Sequence, residues 1–447
     1  MKTNINSAPS ASNNSKAMTA VFLSITPSAR RRALIVGRWA GAALSGLGLT
    51  LGLVSCGVAP RVTAPEPAMP APPSTSAAGL GVELPDPVPP SLWSTPETSS
   101  AWRWADNQAL AQPHQRAGAT WTPVRWRDLP GWGRDNLGQA WNAWLRNCER
   151  PLPAFVSLCA DVRRLSWASV GEQHEWLMTH FQPYRVQNAQ ANDPGLLTGY
   201  FEPEMAASRR PSAAFPTPIH ALPSGWSAQS PWYSRQEMDT LPEAQQALAG
   251  KALAYLAHPV DALMLQVQGS GRLRIAEPDG RITFARLAFA GHNGHTYQSV
   301  ATPLLRQKQI TSASWEAIKA WAQAHPDETP AMLWQNPRVV FFQELALDPV
   351  SVGNGPRGAL GVALTPGRSI AVDRQSMPYG TPVWLVTSGP TSHKQKLVFA
   401  QDTGGAIVGA VRADYFAGWG DAAYQEAARL KQPLSLWALW PRHQPLP

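Results

Sequence analysis

A chain of 447 residues, 44% of them hydrophobic, has room for two domains that each bury their own core, so metal or a dense set of disulfides is not needed to hold it together. The formal charge of +8 belongs largely to one end: Lys2, Lys16, Arg30, Arg31, Arg32 and Arg38 precede position 57, where no Asp or Glu occurs, and the remainder carries only +2. A nearly neutral body lacks the basic footprint of a phosphate-backbone binder, which sets nucleic acid aside as a partner.

In chain order, the first element is an export signal over residues 1–56. A cationic cluster at Arg30–Arg32 runs into an apolar stretch, Trp39–Val54, too short to span a bilayer comfortably. Met18 is an alternative start to Met1, and a weak twin-arginine pattern yields to the general secretory route. The stretch ends Leu53-Val54-Ser55-Cys56, which resembles the lipobox at which bacterial lipoproteins are cleaved and acylated on the new N-terminal Cys. Cys56 is therefore the expected lipidation site. With Gly57 next, the resemblance implies the periplasmic face of the outer membrane of a Gram-negative bacterium. Eleven prolines between 57 and 100, among Ala, Ser and Thr, predict an extended tether, taken to residue 117. At about 3.1 Å per residue it reaches on the order of 100 Å from the lipid. Cys148 and Cys159 are the cysteines left, in a compartment where disulfides persist, and are expected to pair.

The folded part opens with helices. Leu137, Trp141, Trp144, Leu145 and Cys148 fall at helical spacing with Asp135 placed to cap, and Ser169 with Glu172 forms a capping-box pattern ahead of Trp176, Leu177 and Phe181. Period-two alternation then predicts strands at Leu263–Val267 before a Gly-Ser-Gly turn, at Pro382–Val386 and at Leu397–Ala400. Many short strands divided by Gly, Pro and Asp suggest barrels. Most of the 20 tryptophans are expected in the core.

The chemistry-bearing stretch is FAQDTGGAIVGAVRAD, residues 399–414. Asp402-Thr403-Gly404 occurs once, whereas an aspartic protease needs two such loops sharing a proton. Gly405–Gly409 reads instead as a turn and short strand leading to Asp414. His292 and His295 have metal-compatible spacing without a completing carboxylate or Cys, and Gly269-Ser270-Gly271 is neither a nucleophile elbow nor a phosphate loop. No metal or cofactor is called for. Two carboxyls at the ends of a Gly-rich turn suit acid/base work on a glycosidic bond, one neutral and one ionised. Equally, they suit turn residues bonding nearby amides, and spacing leaves the choice open.

Five ordered motifs bear on that choice: Gly199–Glu204 (GYFEPE), Val267–Leu273 (VQGSGRL), Ala290–Tyr297 (AGHNGHTY), Arg368–Asp373 (RSIAVD) and Gln401–Ile407 (QDTGGAI). Together they resemble the membrane-bound lytic murein transglycosylase A family, over roughly residues 195–440. The resemblance implies a mainly β fold with accessory helices: a double-psi β-barrel with a smaller β-barrel inserted and a groove between them. Residues 118–204 and 330–447 would form the helical N-terminal part and the catalytic barrel, and 205–329 the inserted substrate barrel. It also implies cleavage of the β-1,4 bond between N-acetylmuramic acid and N-acetylglucosamine in peptidoglycan glycan strands, without water, leaving 1,6-anhydro ends. On the same basis Asp414 is the acid and then the base, with Asp402 as its perturbing partner. Asp373 lies nearby, and Tyr200, Gln268, Gly269, Ser270, Asn293, Gly404 and Gly405 line the groove. Val408 stands where the family often has Lys, and Ser299-Val300-Ala301 replaces a commoner Ser-Ile-Gly. The rival expectation is a catalytically inactive lipoprotein of the same fold that binds peptidoglycan or scaffolds other cell-wall enzymes.

Overall fold

A computed structural model of the chain describes residues 99–188, 195–348 and 351–447. The signal peptide, the lipidation site Cys56 and the proline-rich segment up to residue 98 lie outside the described residues. Within the described part of the stretch expected as tether, Ser100–Asn107 forms helix α1, with Ser99 Oγ accepting from Trp102 N, and His114–Arg116 forms strand β1, so residues 100–116 are not an extended linker.

Strands β2 (Ala119–Pro123) and β3 (Phe181–Asn188) follow, with helices α2 (Leu137–Asn147), α3 (Cys159–Arg164) and α4 (Val170–His180) between them. The α4 capping box is present: Ser169 Oγ accepts from Glu172 N, and Glu172 Oε2 accepts from Ser169 N. Asp135, expected as the α2 cap, does something else. It is buried and paired with Arg368, Nη1 to Oδ2 at 2.6 Å and Nη2 to Oδ1 at 2.9 Å, and it also accepts from Leu397 N. The N-cap position falls one residue later, on Asn136, which makes no side-chain cap.

The chain then enters β4 (Gly195–Glu202) and crosses into a second sheet: β5 (Glu204–Ser208), β6 (Thr217–His220), helices α5 (Arg235–Thr240) and α6 (Pro242–Leu248), β7 (Ala252–Leu256), α7 (Pro259–Gln268), β8 (Ser270–Ala276) and β9 (Ile282–His292). After α8 (Ala301–Arg306), α9 (Trp315–Ala324) and α10 (Thr329–Trp334) comes β10 (Val340–Ala346), and the six strands order as β10-β9-β8-β5-β7-β6. Because β10 pairs with β9 along its whole length, this inserted sheet extends past residue 329, where the sequence reading had ended it.

The run Leu263–Val267 is helix, not strand. Pro259 at the first helical position and His258 accepting from Val260 N start α7, and Gly269 ends it in the left-handed region at φ 80°. A short apolar run carries little periodicity, and here the flanking Pro and Gly are the deciding signals.

The chain returns through β11 (Ser369–Val372), β12 (Pro382–Ser388), β13 (His393–Asp402), β14 (Arg412–Trp419), α11 (Gly420–Arg429) and β15 (Lys431–Pro441). The first sheet runs β1-β2-β3-β15-β12-β13-β11-β14-β4, and β4 also pairs with β15. Six strands thereby close on themselves as a barrel, with β11–β13 and β14–β4 parallel and β1 to β3 as an antiparallel extension. Closure leaves the barrel strands no unpaired edge.

The main core joins the barrel to α1–α4. Fully buried Trp121, Trp126, Trp141, Trp144 and Trp384 pack with Phe181 and Phe399, and Trp144 meets Trp176 and Phe399 at ring separations of 5.3 and 5.4 Å. Each such ring contributes roughly 1.5–3 kcal/mol by burial, so the tryptophans on which the helices rest are scaffold. Cys148 and Cys159 are joined, closing a short loop between α2 and α3. Replacing both by Ala is expected to lower the unfolding free energy by about 2–3 kcal/mol, read as a fall in the urea midpoint under non-reducing conditions. An unchanged midpoint would mean that the α2–α3 packing holds without the bridge.

Candidate active site

Strand β4 carries the polar side of the site. By alternation Thr198, Tyr200 and Glu202 share one face, and each meets a charged group. Thr198 Oγ1 donates to Asp414 Oδ1 at 2.5 Å, Tyr200 Oη donates to Asp402 Oδ2 at 2.8 Å, and Glu202 receives Arg272 and Arg286, each at 2.7 Å. Gly199 lies between the first two because α11 crosses close behind it: a Cβ there would meet Ala427 Cα at 2.7 Å.

The aspartates flank one residue. Ala371 of β11 is in register with Asp402 on the parallel neighbour β13 and with Asp414 on the antiparallel neighbour β14. Two strand spacings put their backbones about 10 Å apart, within reach of a shared ligand. Gln401, just before Asp402, is buried and locked: Ser369 Oγ donates to its Oε1, and its Nε2 donates to Ala143 O and Asn147 Oδ1 on α2. The helical scaffold therefore holds one end of the site.

The two carboxyls differ in what is left of them. Asp402 is used on both oxygens, accepting from Ala359 N at 3.0 Å on Oδ1 and from Tyr200 on Oδ2. Asp414 is used on Oδ1 alone, and its Oδ2 has no partner among the described residues. Burial pushes both carboxyls above the ordinary range, against the hydrogen bonds each accepts and, at Asp414, against the Arg412 cation. Burial, rather than the charge of Asp402, is thus what lifts Asp414. Tyr200 is raised as well, first by burial and then by Asp402, so it remains a donor.

Between the aspartates, residues 403–411 form turns without the short strand expected there. The loop is tied at three points: Thr403 Oγ1 donates to Val372 O, Gly409 N donates to Asp373 Oδ2 at 2.9 Å, and Ile407 is buried. Gly405 faces open space and Val408 is 72% exposed. Asp373 thus acts on the loop's backbone.

Among the groove residues expected from sequence, Gln268 accepts from Phe201 N at 3.2 Å, tying the end of α7 to β4, with Gly269 as the helix terminus and Ser270 buried at the start of β8. Asn293 is corrected. It has no exposed surface, and its carboxamide serves Tyr233 O, Pro337 O and Val339 N, so it pins a loop and faces no groove. Sequence reasoning missed Thr198 and Arg412, although the alternation Thr-x-Tyr-x-Glu was a usable signal. A cavity of about 270 Å³ along α11, lined in part by Ser392, Gln425 and Glu426, shares no residue with this site.

The fold and site define a two-sheet protein with a pair of half-buried carboxyls on two strands of a closed barrel that flank a third. Residues 196–343 match the MltA specific insert domain and residues 368–440 match the 3D domain. The chain is 30% identical over 295 residues to the membrane-bound lytic murein transglycosylase A of Vibrio cholerae serotype O1, covering 61% of this chain and 75% of that one. Among solved structures it resembles the lytic transglycosylase LtgG of Burkholderia pseudomallei, 39% identical with a TM-score of 0.51, covering 75% of this chain and 99% of that one. It also resembles MltA from Neisseria gonorrhoeae, 26% identical with a TM-score of 0.63, covering 76% and 97%. The chain belongs to the membrane-bound lytic murein transglycosylase A family.

Proposed function

We propose that this protein is a lytic transglycosylase that cleaves the β-1,4 bond between N-acetylmuramic acid and N-acetylglucosamine in peptidoglycan, with Asp414 as acid and then base. The observation that carries the reading is the asymmetry of the carboxyls: Asp402 is engaged on both oxygens, whereas Asp414 keeps Oδ2 open. The named relatives support the substrate class.

Asp414, protonated on entry, gives its proton to the bridging oxygen as the C1–O bond breaks, so the leaving sugar departs as a neutral alcohol. The carboxylate so formed takes the proton of the muramyl C6 hydroxyl as that oxygen bonds C1. Both protons pass through one group, no water is consumed, and the product ends in a 1,6-anhydro ring. A paired-carboxylate glycosidase, by contrast, ends on water. Asp402, with Tyr200, supplies a fixed negative neighbour. The strand would lie between the two sheets, against Tyr200, Gln268, the turn at Gly404 and the open backbone at Gly405. A lipid on Cys56 and the proline-rich segment would hold the body to the outer membrane while letting it reach the wall, a placement in keeping with a relative named as membrane-bound.

The test is the mass of the products. A soluble form beginning at Gly57, incubated with purified sacculi, is expected to release muropeptides lighter by one water than their reducing-end counterparts. Reducing ends would replace this reading with a water-using muramidase. Binding without release would replace it with a scaffold protein.

A further inference from the structure

Asp414 does not orient its own proton. Thr198 Oγ1, paired with it across β4 and β14, donates to Oδ1 at 2.5 Å, and Arg412 Nη2 donates to that same hydroxyl oxygen at 2.8 Å. Arg412 precedes Asp414 by two residues on one strand, so both side chains leave the same face. Its other terminal nitrogen, Nη1, donates to Leu196 O at 3.3 Å and to Ala413 O at 2.5 Å, which clamps the guanidinium to the backbone.

A guanidinium has donors and no acceptor. Facing it, the Thr198 oxygen must accept, and the hydroxyl's single hydrogen must point elsewhere, to Oδ1 of Asp414. An Oδ1 that is receiving a hydrogen bond is a poor place for the acid's own proton. We propose, resting on the reading of Asp414 as the acid, that Arg412 is a positioning residue that acts through Thr198 to fix the acid's proton on Oδ2, the oxygen open to the glycosidic bond. The arrangement also serves the second half of the reaction. Once Asp414 is an anion, the hydrogen bond to Oδ1 becomes charge-assisted without any group moving, so the relay strengthens as charge develops. The other groups facing Asp414 are Tyr200 on β4 and Asp402 on β13; neither donates to it.

The experiment compares Arg412→Gln, whose amide offers Thr198 an acceptor and lets its hydrogen turn away, with Arg412→Lys, which keeps donors alone. On purified glycan strands Arg412→Gln is expected to lower kcat about 10- to 100-fold with KM changed less than about 2-fold, and Arg412→Lys to recover most of the loss. In a Thr198→Val background Arg412→Gln should cost nothing further, because the relay is already cut. The alkaline limb of the kcat/KM profile should move up in Arg412→Gln, where a cation holding the acid down is gone, and stay in place in Arg412→Lys. Equal losses in the Gln and Lys variants, additive losses in the double variant, or an unchanged kcat in Arg412→Gln would each overturn the inference. If Arg412→Gln fails to fold by circular dichroism, Thr198→Ser against Thr198→Val asks the same question, with rescue by Ser expected and no rescue overturning it. Asp414→Asn separates the two claims: activity retained there removes the reading beneath, whereas activity lost there with normal turnover in Arg412→Gln removes this inference alone.

Discussion

Asp414→Asn should abolish turnover and make the folded protein more stable at neutral pH. The first half follows from the mechanism: an amide can neither give the proton to the leaving oxygen nor take the one from C6, and loss of such a group costs about 10²–10⁴-fold or more. The second half follows from burial. The Asp414 carboxyl is raised in the folded state, so the folded chain binds that proton more tightly than the unfolded chain does. Stability from such a group is fully present below the unfolded pKa, about 4, and is lost as pH rises through the higher folded value. Asparagine does not ionise, so the variant escapes this loss. Its carbonyl can still accept from Thr198, and its amide takes the place where Oδ2 has no partner. Melting curves for both proteins between pH 5 and 8 check the point: the gap in Tm should widen with pH in favour of the variant. A gap independent of pH would mean that Asp414 is already ionised in the folded state at pH 5, as it is in the unfolded chain, so that burial does not hold its proton, and activity within tenfold of the parent would move the acid elsewhere.

Where the sequence was readable, a local signal and the tertiary structure agreed. Helices α2 and α4 show apolar spacing that the core confirms, and Pro382–Val386 and Leu397–Ala400 do form barrel strands, although as continuous apolar runs buried on both faces rather than by alternation. The failures share a cause. Asp135 carries a good capping residue's chemistry, yet its partner Arg368 lies 233 positions away and outbids a helix end. Asn293 sits in a motif suggestive of ligand contact, but its partners come from residues 233, 337 and 339, which no local pattern connects to it. Both aspartates were visible from spacing and family resemblance. The roles that the resemblance implies for them had no physical ground in the sequence itself, because which carboxyl oxygen remains open is decided by Thr198, Tyr200 and Ala359 arriving from other parts of the chain.

Glu202 should be the residue whose loss most damages the framework. It is completely buried at the end of β4, where Oε2 accepts from Arg272 Nε and Oε1 accepts from Arg286 Nε, both at 2.7 Å. The two guanidiniums come from the inserted sheet, both also donate to Asn354 O, and Arg272 lies 3.9 Å from the ring centroid of Trp419 at the end of β14. One carboxylate therefore separates two buried cations and fastens the inserted sheet to the barrel, two residues along the strand from Tyr200. Glu202→Gln preserves shape and removes the charge, leaving the cations to repel each other at low dielectric. Breaking a buried pair of this kind costs about 3–5 kcal/mol, read as a lower urea midpoint. Because the same contacts set the inserted sheet against Tyr200 and Asp402, KM for glycan strands should rise more than kcat falls. The companion variant Glu202→Gln with Arg286→Met deletes one cation along with the anion and should regain part of the stability. If it regains none, the loss comes from packing around Glu202 rather than from its charge, and the junction is steric instead of electrostatic.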